Sequence, residues 1–422
     1  MSSNRGLVSV LVGQCGNQVG QAVLHAANED HSYMFETADR GGRLPRAVYA
    51  DMEERVVNRI GASMQEFVVS NHPGSGNNWG VGYHEFGPQF GSEVIDRIRK
   101  QIEKCDVCDG IMFYGSTSGG TGSGFGSYLM EKSLLEIDQK ILHLPVYIVS
   151  SPGHSDVVTS AYNTLFTLNT LHESGDFVLP FDNQALGKVA QQIGIDRVSE
   201  ELPYESLNTV CAQFVTTLTA CTSSSHAVTE LPCRLRHIRD FLCPDNKRKF
   251  IVPSLGIVEE KKSLTNVGQQ FDEIFTNIER GSRGSLISLD SETTPTVPFA
   301  RKVKQRDILY SIGIAARINH KTISTHDVVR NFGKMKTRLG LSLNSPDLLT
   351  VARSTKAGKD VVAGLSNRST ISNLFDRVLR QSSRLLQKRS FLHHYQDFMT
   401  ESDFLHSIDK LSIIRNNYAS RY

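Results

Sequence analysis

No charge of one sign dominates this chain of 422 residues. Its 46 basic and 44 acidic residues leave a formal net charge of +2, so it lacks the basic field expected of a nucleic-acid-binding protein. The seven cysteines are odd in number and scattered, which argues against a secreted disulfide framework. Cys105 and Cys108 form a lone C-x-x-C without a second pair nearby. They read as small residues where a helix enters a strand, not as half a zinc site. No apolar run reaches the roughly 20 residues that span a bilayer. The opening MSSNRGLVSVLVGQCG passes straight into a strand-like run with no signal-peptide pattern. Cytosol is the expected location, with no membrane and no nucleic acid among the partners. Internal repeats and low-complexity tails are absent. The 14 histidines are dispersed, and no Ser-His-Asp set or metal-ligand cluster can be assembled from them.

What is present is an alternation of short apolar runs and helical patterns. Leu7–Val12, Ala47–Asp51, Asp109–Tyr114, Pro145–Ser151 and Phe177–Phe181 read as strands. Gln14–Asn28, Glu53–Asn71, Gly122–Gln139 and Ser160–Ser174 read as the helices between them. That order predicts a parallel sheet covered on both faces, with ligands outside the carboxyl ends of its strands. A long helix, Glu205–Ser224, closes this region. A second, mixed α/β region runs from about Lys249 to Arg353, with FIVPSLGIV, ILYSIGIAAR and LLTVAR as strands and amphipathic Asp327–Thr337 between them. From Thr370 onward the apolar residues recur at helical spacing in two long segments.

The chemistry sits in glycine-rich turns. Ser118-Gly-Gly-Thr-Gly-Ser-Gly124 follows a strand and opens a helix. Its glycines let backbone N–H groups approach an anion, the helix start adds a positive dipole end, and Thr121 and Ser123 add hydroxyls. The lysine of G-x-x-x-x-G-K-[ST] is missing, because Thr121 follows Gly120. The dinucleotide G-x-G-x-x-G fails as well, because Gly120, Gly122, Gly124 and Gly126 alternate. Two further loops, Gly13-Gln-Cys-Gly-Asn-Gln-Val-Gly20 and Gly74-Ser-Gly-Asn-Asn-Trp79, are modest signals singly and far stronger in this order.

Strand–GQCGNQVG–helix, then GSGNNW, then SGGTGSG resembles the tubulin superfamily, and the similarity continues over most of the chain. Asp51-Met-Glu53 resembles the acidic loop near the nucleotide's magnesium, and Ser155-Asp-Val-Val the ribose-side loop. Asp182-Asn-Gln-Ala185 and Tyr204-x-x-x-Asn208 resemble the guanine-contacting stretches, and Phe391-Leu-His-His-Tyr395 the connection between the C-terminal helices. The resemblance implies an α/β fold with a Rossmann-like parallel nucleotide-binding sheet, a central helix, a mixed α/β intermediate domain and C-terminal helices. The implied divisions are 1–204, 205–248, 249–366 and 367–422. The implied cofactors are GTP or GDP with Mg2+. Their implied contacts are Gly13, Gln14, Cys15, Gln18, Gly76, Asn77, Ser116, Gly119, Gly120, Thr121, Gly122, Ser123, Asp156, Asn183, Tyr204 and Asn208, with Glu53 reaching the metal through water. An amide such as Asn183 or Asn208 complements guanine's carbonyl and amino groups, whereas Tyr204 would stack on either purine.

Some positions depart from the family pattern. Ser118 replaces the first glycine of G-G-G-T-G-S-G, and Ser160 stands where many members carry an acid. The acid that acts on a neighbouring subunit's GTP aligns with His237, and only an offset would bring Asp240 there. No dense acidic tail follows Arg415. The stretches LPRAVYADMEERVVNRI, GSGNNWGVGYHEFGP and FLHHYQDFMTESDFLHSIDKL look most like the delta branch, which implies a centriole or basal-body role. The resulting expectation is a structural or regulatory GTP-binding protein with weak or partner-dependent hydrolysis. It would meet other tubulins end to end, and a monomeric state in isolation is compatible with it. The alternatives are an assembly-coupled GTPase that builds its own filaments, another minor type, or an unrelated α/β enzyme with a different phosphate ligand.

Overall fold

The run Leu7–Val12 folds as strand β1 (Arg5–Val12), and its alternate residues serve two cores. Leu7 and Leu11 face one helical layer, and Val8, Val10 and Val12 face the other. Such a strand is apolar on both sides because helices cover both sides. The computed structural model describes residues 4–27, 29–37, 41–53, 67–69, 74–149, 157–195, 204–220, 234–258, 267–281, 283–288, 307–318, 324–339, 348–353 and 359–419.

After β1 come helix α1 (Gly13–Ala26), the hairpin β2 (Phe35–Thr37) and β3 (Arg43–Pro45), and strands β4 (Ala47–Asp51) and β5 (Phe67–Val69). The expected helix over Glu53–Asn71 is corrected where it is described, since Phe67–Val69 pairs with β4 as a parallel strand; residues 54–66 lie outside the described residues. The chain continues through α2 (Gly87–Glu103), β6 (Val107–Ser116), α3 (Gly126–Glu136), β7 (Leu142–Val149), α4 (Ser160–Ser174), β8 (Leu179–Asp182) and α5 (Asn183–Gln192). The six strands run parallel in the order β5-β4-β1-β6-β7-β8. Counted along the chain this is 3-2-1-4-5-6, the doubly wound order whose direction of growth reverses between the first and fourth strands. The crevice that such a reversal opens lies between the carboxyl ends of β1 and β6.

Helix α6 (Glu205–Ala220) runs between the halves of the protein. Val210, Phe214 and Leu218 share a core with Val19 and Val23 of α1 and with Leu255, Ala363 and Leu365 of a second sheet. That sheet comprises β9 (Val252–Ile257), β10 (Leu309–Ile318), β11 (Leu349–Arg353) and β12 (Val361–Arg368) in the order β11-β10-β12-β9. It is mixed, with β10 and β11 parallel and the other pairs antiparallel. Helix α7 (Leu235–Leu242) precedes it; α8 (Val267–Arg280) and α9 (Thr325–Leu339) cover its other face through Phe271, Phe275 and Phe332. Helices α10 (Ser372–Gln387) and α11 (Glu401–Ala419) pack on each other and on α4, and their Phe375, Val378, Leu411 and Ile414 belong to the core that covers one face of the first sheet. The connection between them turns through Arg389 and Phe391, both with positive φ.

Candidate nucleotide-binding site

The reversal point of the first sheet holds a cavity of about 440 Å³, a size suited to a small organic ligand. Three loops from separate parts of the chain close it. Gly13, Gln14, Cys15 and Gln18 come from the turn and first helical residues after β1. Gly76 and Asn77 come from the loop before Trp79, and Ser116, Gly119, Gly120, Thr121 and Gly122 from the loop after β6. These loops meet only because glycines let backbones touch. Gly13 has φ +72, and a Cβ there would lie 2.7 Å from the amide nitrogen of Gly122. A Cβ on Gly120 would lie 2.6 Å from the carbonyl oxygen of Asn78.

Two of the elements that start at the cavity leave their N-termini without a side-chain cap: α1 after Val12, and the π-helical turn Thr121–Phe125 after Gly120. Their first N–H groups and their dipoles point where an anion would be stabilised. The hydroxyls of Ser75 and Thr121 stand 3.2 Å apart beside them. Ser123 takes a different place from the one expected. Its side chain is fully buried and its hydroxyl donates to the Gly119 carbonyl, bracing the loop from behind and not facing the cavity. Asp156 lies outside the described residues.

At the other end of the cavity are Asn183, Tyr204 and Asn208. Asp182, one residue earlier, caps α5 by accepting the Ala185 N–H at 2.8 Å, so Asn183 is spared that role. Tyr204 is half exposed, which leaves a ring face open to stack on a planar ligand. Anion donors at one end, and amides with an aromatic at the other, match a nucleotide's phosphates and base.

Two carboxylates enter the same cavity, Asp51 and Glu53. Asp51 Oδ1 accepts the N–H groups of Met52 at 2.7 Å and Glu53 at 3.2 Å. Its Oδ2 is buried without a hydrogen-bond partner. Burial pushes the Asp51 carboxyl up to about 6; the two backbone bonds oppose this and the Glu53 carboxylate adds to it. An orphaned carboxylate oxygen beside a second carboxylate fits a hydrated divalent cation. Among the described residues no group of three His, Cys, Asp or Glu is assembled, so Asp51 and Glu53 are not part of a larger metal-ligating cluster among them. The Cys15 thiol is pushed up to about 12 by burial, which keeps it neutral and non-nucleophilic.

His237 is not in this cavity. It sits exposed on α7, where its Nδ1 accepts the Arg234 N–H at 3.3 Å. Asp240, three residues on and also exposed, pairs with Arg239 at 3.0 Å. Arg236 of the same helix donates to the carbonyl of Lys140, just before β7 begins. Helix α7 thus lies at the amino ends of the parallel strands, and the cavity at their carboxyl ends. The cavity is also lined by Asp51 of the acidic loop, by Ser75 and Ser118 of the glycine loops, and by Val12, Ile148, Val149 and Val157, which the sequence did not single out. Of the apolar ones, Val12, Ile148 and Val149 are strand ends and Val157 lies just before α4; their presence follows from topology and carries no mark in the sequence.

The family model described as the Tubulin/FtsZ family GTPase domain matches residues 7–191. The chain is 27% identical to the tubulin epsilon chain of Mus musculus, covering 98% of this chain and 95% of that one. It is 26% identical to the tubulin alpha-3 chain of Saccharomyces cerevisiae (98% and 97% covered) and 26% identical to the tubulin gamma chain of Caenorhabditis elegans (100% of both). The match over β1 to α5 spans the three glycine loops, and a domain of this kind implies GTP or GDP as ligand. Residues 7–191 thus resemble a Tubulin/FtsZ-family GTPase domain, and the chain is similar to tubulins over nearly its whole length at 26–27% identity.

Proposed function

We propose that this chain is a GTP-binding minor tubulin, a structural or regulatory component of centriole or basal-body microtubules, that hydrolyses GTP weakly or only with a partner. The carrying observation is the cavity at the β1–β6 reversal, lined by three glycine loops and by Asn183, Tyr204 and Asn208. In this reading Gly13 to Cys15 and Gly119 to Gly122 hold the phosphates through backbone N–H groups and the Thr121 hydroxyl. Ser116, Gly76 and Asn77 complete the phosphate end, with Gln18 on the first helix beside it. Tyr204 stacks on the base, and Asn183 and Asn208 read guanine's edge. Asp156 is proposed for the ribose. Magnesium would be held chiefly by the phosphates and waters, with Glu53 and Asp51 as outer carboxylates. Bound there, it neutralises charge on the phosphate oxygens.

End-to-end association with other tubulins is the proposed mode of assembly. The cavity and α7 lie at opposite ends of the sheet, so a head-to-tail contact would set one subunit's α7 over the next subunit's nucleotide. His237 would then stand where an acid is needed, and an imidazole is a poor substitute for a carboxylate that orients water. The delta-like stretches of sequence and the similarity to epsilon chains both support a minor type over a bulk wall subunit. A second reading, an assembly-coupled GTPase that forms its own filaments, draws on the exposed Asp240 of the same helix. Tagged chain imaged in ciliated cells tests the role. Enrichment at centrioles or basal bodies is expected, and uniform incorporation along cytoplasmic microtubules would contradict it.

A further inference from the structure

Asn163 of α4 is fully buried, and every hydrogen-bonding position of its amide is used. Its Nδ2 donates to the carbonyls of Asn77 at 2.8 Å and Ser118 at 2.7 Å. Its Oδ1 accepts the Trp79 N–H at 2.9 Å and the Tyr395 hydroxyl at 2.6 Å. One side chain therefore ties two of the three cavity loops to the connection between α10 and α11. The tie is doubled nearby. Thr159 donates its hydroxyl to the Asn77 carbonyl at 2.8 Å, and the Asn78 side chain donates to the His394 carbonyl.

The consequence for the cavity follows from peptide planarity. In a trans peptide the C=O and the next N–H point opposite ways, and none of the described peptides is cis. Drawing the Ser118 carbonyl toward Asn163 turns the Gly119 N–H the other way, into the cavity that Gly119 lines. Asn163 is not among the residues that line the cavity; it sets the direction of a donor from one that is.

We propose that Asn163 is a positioning residue for the phosphate loops, and that its bond to Tyr395 makes the C-terminal helix connection a regulator of nucleotide affinity. This rests on the nucleotide reading of the cavity. The ligand class is a guanosine di- or triphosphate, and the regulated quantity is phosphate binding, not base recognition. The coupling is reciprocal: the ordered connection favours bound phosphate, and bound nucleotide in return orders the connection.

The test measures binding of GTP, GDP and guanosine by calorimetry to the unmodified chain, Tyr395→Phe and Asn163→Asp. Tyr395→Phe deletes one hydroxyl and should weaken GTP and GDP roughly five- to tenfold, with guanosine unchanged. Asn163→Asp sets a carboxylate against two carbonyls and should cost more than about tenfold. Hydrogen exchange across 389–399 should slow on adding GTP to the unmodified chain and not to Tyr395→Phe, a response that a purely structural role would not alter. Tyr395→Phe with unmodified GTP affinity overturns the proposal, as does an equal loss for guanosine and the phosphates. If Asn163→Asp fails to fold, Tyr395→Phe decides alone. Absence of guanine-nucleotide binding by the unmodified chain would overturn the site reading itself, and that outcome is visible before any variant is made.

Discussion

Gly13 and Gly122 meet backbone to backbone at the floor of the cavity: a Cβ on Gly13 would stand 2.7 Å from the Gly122 nitrogen. Gly13 also holds φ +72, a region that costs an L-residue about 1–2 kcal/mol. Gly13→Ala therefore adds backbone strain to overpacking worth about 1–3 kcal/mol. A lowered melting temperature and a lost or sharply reduced GTP affinity are expected from a thermal melt and a nucleotide titration. Unchanged values for both would contradict the loop packing described.

The two ends of the cavity make separable contributions. Tyr204 offers a ring face that either purine can use, whereas Asn183 and Asn208 offer amides that suit guanine. Tyr204→Ala should weaken GTP and ATP alike. Asn208→Ala should weaken GTP by about 1 kcal/mol or more while leaving ATP unaltered, narrowing the preference for GTP. Competition binding with both nucleotides distinguishes the two effects, and a loss of GTP preference in Tyr204→Ala alone would reverse the assignment.

Asp51 gives the site a pH dependence whose sign can be worked out. Burial raises its carboxyl from 3.8 to about 6, so the folded chain holds this proton more tightly than the unfolded chain does. Its contribution to stability then falls as pH rises from about 4 to about 6, in the absence of a bound cation. Asp51→Asn should raise the melting temperature at pH 7 in magnesium-free buffer and change it little at pH 4. With Oδ2 as an outer partner of hydrated magnesium, the magnesium dependence of GTP affinity should weaken below about pH 6 in the unmodified chain, and at pH 7 it should be weaker in the variant than in the unmodified chain.

Much of the cavity was legible because its residues are of types that turns and anion sites require. The three glycine loops, Tyr204 and Asn208 all come together around one space. Helix α2 was harder to read, because it opens on Gly87-Pro88 straight after a π-helical turn, and both features obscure its 3.6-residue period. Strand β5 lay inside a segment whose charges and apolar spacing suggest a helix, and pairing with β4 decided its state. Ser123 belongs to the loop by composition, yet only the fold reveals that its hydroxyl serves the Gly119 carbonyl. The bracing role of Asn163 was equally hidden, since its partners lie up to 232 residues away in the chain.

His237 supplies a prediction about catalysis in the neighbour. It is exposed on α7, at the end of the sheet opposite the cavity, with no carboxylate at its own position. The unmodified chain should turn over GTP slowly, alone or mixed with alpha/beta-tubulin. His237→Glu should raise turnover in the mixture by about tenfold or more, a change of about 1.4 kcal/mol in the barrier. Phosphate release assays measure both, and brisk turnover by the unmodified chain would instead favour a role for Asp240.

The central claim is that the cavity between β1 and β6 holds a guanine nucleotide. Purified chain, denatured and analysed by chromatography for what it carries, addresses this most directly. GTP or GDP at near one per chain is predicted, and removal of the phosphate end by Gly13→Ala should abolish it. Recovery of ATP or a nicotinamide dinucleotide in its place would contradict the claim.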